Sequence, residues 1–195
     1  MMTQATRADV LIVDDTPANL TVLSTILSRE GHRVRPALSG ELALRAAQKA
    51  PPDLVLLDIQ MPGLDGFEVC RRLKADAATA HVPVIFISAL EDALDKVEAF
   101  RAGGADYITK PFQIEEVLAR VEHQIALRRQ RAAMGQVSEG LDQIVALAER
   151  LVSADAAHSR ALAAELAGRA RELRAALGPG RAGGGDEGEA GTPAA

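Results

Sequence analysis

The chain has no tryptophan, one tyrosine and four phenylalanines among 195 residues. Leu, Val, Ile and Ala must therefore fill its interior, and the core is expected to be aliphatic. A single cysteine, Cys70, excludes an internal disulfide and fits a reducing compartment. In E-V-C-R-R-L that cysteine reads as a small apolar residue of a helix. Basic charge is not in excess: the formal net charge is −5, which argues against bulk attraction to nucleic acid or to an anionic membrane surface. Long apolar runs are missing too. The first one, Val10–Val13, is too brief for the core of a signal peptide, and no later run approaches a membrane span. A cytoplasmic protein without membrane insertion is the expectation. His32, His81 and His123 stand at no metal-ligand spacing with cysteine or acid.

What is present is alternation. Short apolar runs at Val10–Val13, Arg33–Ala37, Leu54–Leu57, Val82–Ile87 and Ala105–Ile108 are separated by segments of helical period at Pro17–Glu30, Gly40–Lys49, Asp65–Lys74 and Asp92–Ala102. That is the pattern of βαβ units around a parallel sheet. Pro17 suits the first turn of a helix, and Gly31 suits the left-handed residue that ends one. The first, third and fourth runs are continuously apolar, as strands buried on both faces must be; the second and fifth are more polar, as edge strands can be. Ile114, Val117, Leu118, Val121 and Ile125 give a fifth helix, beginning just after Phe112, an apolar stripe for covering the sheet.

Polar groups recur at the ends of these runs. Asp14 and Asp15 follow V-L-I-V, Asp58 follows L-V-L-L, Ser88 follows V-I-F-I, and Lys110 follows Y-I-T. If the runs are parallel strands, all five converge at the carboxyl edge, where open α/β sheets bind ligands. Singly, each has a plainer explanation: a solvated turn, a helix cap, a break before proline. Five such placements in order are not explained that way. A phosphoryl group carries negative charge on three oxygens, so an attacking carboxylate needs a hard cation and a fixed positive side chain beside it. Asp14 and Asp15 suit Mg²⁺, Asp58 suits both metal ligand and nucleophile, and Lys110 and Ser88 suit the phosphoryl oxygens.

The strings L-I-V-D-D-T-P, L-L-D-I-Q-M-P-G-L-D-G, F-I-S-A-L and D-Y-I-T-K-P-F resemble the receiver domain of bacterial two-component response regulators, over roughly Ala8 to Arg129. The resemblance implies a flavodoxin-like five-stranded parallel sheet of order 2-1-3-4-5, with helices on both faces. It implies Asp58 as phospho-acceptor, Asp14 and Asp15 as the acidic metal pair, and the main-chain carbonyl of Gln60 as a further ligand to Mg²⁺. Ser88 corresponds to the switch hydroxyl, Tyr107 to the switch aromatic and Lys110 to the lysine of such sites; the plainer alternative for Tyr107 is an exposed strand-end aromatic. The Lys110–Pro111 bond is typically cis in such domains. The implied reaction is transfer from a histidine kinase or phosphotransfer protein to Asp58, then slow hydrolysis, with no enzymatic activity beyond that self-chemistry. A haloacid dehalogenase-type phosphatase is excluded, because the acid expected two positions after the nucleophile is Thr16 or Pro17 here.

The expected organisation is a flexible N-terminus at 1–8, a receiver at 9–130, a C-terminal helical extension at 131–177, and a disordered tail at 178–195. Beyond Leu127 the text turns polar, and a second helical segment is expected from Val137, with Leu141, Ile144, Ala148, Leu151, Leu162, Leu166, Leu173 and Leu177 as its apolar positions. Ser153 and Asp155 interrupt it, either capping a new helix and so making a hairpin or lying on the outside of one long rod. Five arginines and six acids between Val137 and Leu177 leave no basic stripe, so DNA binding is not expected there. G-G-G-D-E-G at Gly183–Gly188 lacks the surroundings of a cyclase loop and reads as part of the low-complexity tail. His158 is helical, as phosphotransfer histidines are, but A-H-S-R-A-L lacks their pattern and reads as a solvent-facing or seam histidine. Two functions follow: a phosphorylation-controlled switch whose C-terminal helices form a homodimer or bind a partner, or an adaptor that keeps the receiver shape without phosphate chemistry.

Overall fold

The computed structural model describes residues 7–89, 93–153 and 156–176. Five strands, β1 (Asp9–Val13), β2 (Arg33–Ala37), β3 (Leu54–Asp58), β4 (Val84–Ser88) and β5 (Asp106–Thr109), form one parallel sheet of order β2-β1-β3-β4-β5. The two strands with polar sequences, β2 and β5, are its edges. Between the strands lie α1 (Pro17–Arg29), α2 (Gly40–Lys49), α3 (Gly66–Ala75) and α4 (Ala93–Arg101), and after β5 come α5 (Ile114–Ser153) and α6 (Ala156–Ala176).

Successive strand residues point to opposite faces, so each central strand feeds two cores. Val10, Ile12, Leu54, Leu56, Ile85 and Ile87 pack with Leu20, Leu23 and Leu27 of α1 and with Val117, Val121 and Ile125 of α5. Leu11, Val13, Val55, Leu57, Val84 and Phe86 pack on the other face with Ala43 and Ala47 of α2, Val69, Cys70 and Leu73 of α3, and Ala99 of α4. Cys70 is buried there, and burial pushes its thiol up to about 11, so it is an inert apolar residue. On the first face, two further ties hold α5 to the domain: His32 lies 3.1 Å from Glu122, and Arg128 donates to Asp53 and to the Pro52 carbonyl.

The local signals act where expected. Pro17 opens α1, and Gly31, at φ +90°, ends it. The Gly31 and His32 N–H groups return to the Ser28 and Leu27 carbonyls, the paired bonds of a glycine-terminated helix. Ser39 and Asp65 cap α2 and α3 by accepting from the Leu42 and Glu68 N–H groups. The Lys110–Pro111 peptide is cis.

The structure departs from the sequence expectations at several points. Ala8 is 1% exposed and its carbonyl accepts from Arg33 N–H, so it belongs to the core rather than to a flexible N-terminus. Asp58 and Ser88 are the last residues of their strands, inside the sheet's ladder rather than beyond it. No break separates the fifth helix from the extension: α5 runs unbroken for 40 residues, because the arginines, glutamines and alanines after Leu127 are good helix formers even without a core to face.

The chain divides into two compact units, 1–130 and 131–195. In the second, α5 ends at Ser153 and α6 starts at Ala156. A Cβ on Gly140 would lie 2.9 Å from a methyl carbon of Leu173, so the two helices touch there. In one rod those residues would be about 50 Å apart, at ~1.5 Å per residue; the extension is a hairpin. Its inner residues on α5 are Val137, Gly140, Ile144, Leu147 and Leu151, at least half-buried at three- and four-residue spacing. Leu147, not singled out from the sequence, is 6% exposed, whereas Leu141, taken as apolar seam, is 53% exposed. The side chain of His158, Asp155, Leu177 and the 178–195 tail with its G-G-G-D-E-G lie outside the described residues.

Gly66 bears most directly on the edge of the sheet. A Cβ there would stand 2.8 Å from Ile59 Cα and closer still to the Asp58 carbonyl oxygen, so the start of α3 can approach the end of β3 only without a side chain. Gly66→Ala is expected to cost about 1–3 kcal/mol, the range for overpacking, in urea unfolding of the full chain.

Candidate functional site

Asp14, Asp15 and Asp58 come together at the carboxyl edge of β1 and β3, each offering a carboxylate oxygen within 4.8 Å of the others. The adjacency of β1 and β3 in the sheet is what joins them, since the residues are 44 apart in sequence. Asp14 is 2% exposed, Asp58 6%, and Asp15 lies open to solvent.

Lys110, one residue past β5, reaches across the edge and donates to Asp14 Oδ2 at 2.9 Å and to Asp58 Oδ2 at 2.7 Å. Its backbone N–H is fixed by the Ser88 carbonyl at 2.8 Å. Burial pushes the Asp58 carboxyl up from the ordinary range, Lys110 opposes that rise, and Asp14 adds to it. For Lys110, burial acts to lower the ammonium's pKa, but the bonds to Asp58 and Asp14 outweigh it and the net shift is upward. The lysine is thus held charged between two acids.

Asp14 is oriented from behind. Thr16 N–H donates to its Oδ1 at 2.8 Å, and the Asn19 amide donates to both oxygens, at 3.1 and 2.9 Å. Asn19 was not among the residues expected from the sequence. The available signal was its place in the first turn of the helix that Pro17 opens, five residues after Asp14. Gln60 N–H lies 3.3 Å from Asp58 Oδ1, so the Gln60 backbone borders the same carboxylate.

Ser88 and Tyr107 complete the edge on β4 and β5. Ser88 is fully buried, and Tyr107 is buried beside Phe86 and Ala99 in the core, with the Lys96 ammonium 5.7 Å from its ring centre. The exposed strand-end alternative for Tyr107 does not hold. The structure therefore brings Asp14, Asp15, Asp58, Lys110 and the Gln60 backbone into contact or near-contact, with Ser88 and Tyr107 on the adjoining strands. Three carboxylates presenting hard oxygens to one point, beside a lysine, form a donor set that fits Mg²⁺.

With that geometry in place, the chain can be set against known proteins. Residues 10–122 match the model of the response regulator receiver domain, more than half of the chain. The chain belongs to that family. It is 40% identical over 135 residues to the response regulator PleD of Caulobacter vibrioides, which covers 66% of this chain and 30% of PleD. It is 40% identical over 119 residues to PilH of Pseudomonas aeruginosa, covering 61% of this chain and 98% of PilH. With the DNA-binding regulator RpaA of Synechocystis it shares 44% identity over 112 residues, but spans only 46% of that protein. Among solved structures, the chemotaxis protein CheY4 of Vibrio cholerae superposes with a TM-score of 0.58 at 29% identity, over 60% of this chain and 98% of that one. NtrX of Brucella abortus does so with a TM-score of 0.63 at 32% identity, over 67% of this chain and 29% of that one. The family match ends at residue 122, ahead of the extension. No described helix is long and apolar enough to cross a membrane.

Gathering three acids against one lysine carries an electrostatic cost that a neutral side chain relieves. The folded state holds the Asp58 proton more tightly than the unfolded chain does, so ionised Asp58 destabilises the fold at neutral pH. Asp58→Asn should therefore raise the melting temperature in chelator-treated buffer at pH 7, by roughly 2–4 °C for an effect on the order of 1 kcal/mol. The advantage should shrink as pH falls and wild-type Asp58 takes up its proton. Mg²⁺ at ten times its dissociation constant should stabilise the wild type by about 1.4 kcal/mol, Asp58→Asn by less, and EDTA should reverse both.

Proposed function

We propose that this chain is a phosphoacceptor switch of a two-component phosphorelay, with Asp58 accepting the phosphoryl group. The single observation behind this is the Asp14–Asp15–Asp58 cluster with Lys110 bridging two of its members. Asp14, Asp15, Asp58 and the Gln60 carbonyl would hold Mg²⁺, which supplies charge neutralisation for the phosphoryl oxygens when bound.

Asp58 Oδ attacks the phosphorus of a phosphohistidine on a histidine kinase or phosphotransfer protein. The P–N bond breaks, the imidazole leaves, and an aspartyl phosphate remains. Lys110 then exchanges its bond to Asp58 Oδ2 for one to a phosphoryl oxygen, as a long side chain with a single charged head can. Asp14 keeps its orientation throughout, because Asn19 and Thr16 hold it independently of Lys110. The Ser88 hydroxyl donates to another phosphoryl oxygen, and the inward position of Tyr107 becomes the favoured one. Phosphorylation in this scheme shifts a population between states of the α4, β5 and α5 face. Tyr107 is already inward in the structure, which suits a pre-existing equilibrium better than an obligatory move from solvent.

The test is direct. The full chain incubated with acetyl phosphate and Mg²⁺ should gain one phosphoryl mass by intact mass spectrometry, with none on Asp58→Asn and none in EDTA. Lys110→Ala should leave the fold intact and reduce the adduct's rate of formation or its effect on Tyr107 fluorescence. An unchanged mass in the wild type would instead favour a receiver-shaped adaptor that works without phosphate.

A further inference from the structure

The helical hairpin of the extension buries one seam and leaves a second one open. On α5 the inner seam is Val137, Gly140, Ile144, Leu147 and Leu151. One residue further on at each position lies another heptad-spaced row: Ser138, Leu141, Val145 and Ala148, preceded one step back by Met134. Its large members are exposed, Met134 at 73%, Leu141 at 53% and Val145 at 51%. A one-residue offset is a turn of ~100° about a helix axis, close to the right angle between the two neighbours of any helix in a four-helix bundle.

The second helix repeats the arrangement. Leu162, Leu166 and Leu173 are half-buried, and one residue on from them stand Ala163, Ala167 and Arg174, all exposed, with the exposed Ala170 between the last two. Because α5 and α6 run in opposite directions, a one-residue advance rotates the first clockwise and the second anticlockwise when both are viewed from the same end. Both open rows therefore lie on the same face of the hairpin. The α5 row is large and the α6 row carries three alanines, so a two-fold copy of this face can seat Val145 of one α5 against Ala167 and Ala170 of the other α6.

Charge complementarity selects the same occupant. Contact between Gly140 and Leu173 fixes the register of the hairpin, and that register sets Asp142 level with Arg171. Neither makes an ion pair among the described residues, and both are exposed. In a bundle whose two-fold axis runs along the helices, Asp142 of one α5 lies on the same outer side, and at the same level, as the partner's Arg171. We infer that the extension is a dimerisation module, in which two copies of this chain close a parallel four-helix bundle through the Leu141 and Val145 row. The inference is independent of the phosphoryl chemistry at Asp58.

Light scattering on the full chain after size exclusion tests it. A dimer is expected, and Val145→Lys should yield monomer with an unchanged circular dichroism spectrum, because that side chain is outside the hairpin seam. Asp142→Arg and Arg171→Asp, each alone, should weaken dimerisation on the order of tenfold at low salt by placing like charges together twice. An equimolar mixture of the two variants should recover wild-type affinity, since every pair in the mixed dimer is again of opposite sign. A wild-type monomer throughout the concentration series would overturn the inference. So would a dimer indifferent to Val145→Lys, or single charge variants that mixing fails to rescue.

Discussion

A parallel sheet covered by helices on both faces has no place for a charge except at the ends of its strands. In β1, β3 and β4 every side chain between the termini is inside one of two apolar layers, so the chemistry of the domain is confined to the carboxyl edge. That confinement brings Asp14 and Asp58 so near one another that neither is solvated well. Lys110 is the answer within the chain: one ammonium bonded to both acids, with its own backbone fixed by the Ser88 carbonyl. The acids cannot be relaxed by moving apart, because the ladder between β1 and β3 holds their strands in register. What remains is an edge that favours added positive charge.

The supports of that edge are local. Asn19 and Thr16 set the plane of the Asp14 carboxylate from the first turn of α1, while Gly66 lets α3 close against the end of β3. Ser88 and Tyr107 sit on adjacent strands and are both buried.

The extension follows different rules. Nothing like a sheet specifies its faces, and its stability comes from helix propensity together with one hairpin seam. A hairpin of two helices covers each helix on one side only, which is why most of its apolar residues remain half-exposed. Asp142 on α5 and Arg169, Arg171 and Arg174 on α6 are exposed on that hairpin.

The succession of strands and helices along the chain, the apolar faces of the central strands, the caps, and the identity of the acids and the lysine at the strand ends were all legible in the residues alone. Those features depend on periods of two and of 3.6 and on single-residue backbone preferences, all of which are local. The sequence could not show that Asn19 would hold Asp14, because that contact exists only once α1 has turned over the end of β1. Nor could it distinguish Leu147 from Leu141 as the buried seam of the extension, since two heptad rows one residue apart read alike until a partner helix occupies one of them. The choice between rod and hairpin was open in the same way, and Leu173 packing against Gly140 decided it. Tertiary structure settles such questions because burial is a property of pairs of surfaces, and a sequence presents each surface alone.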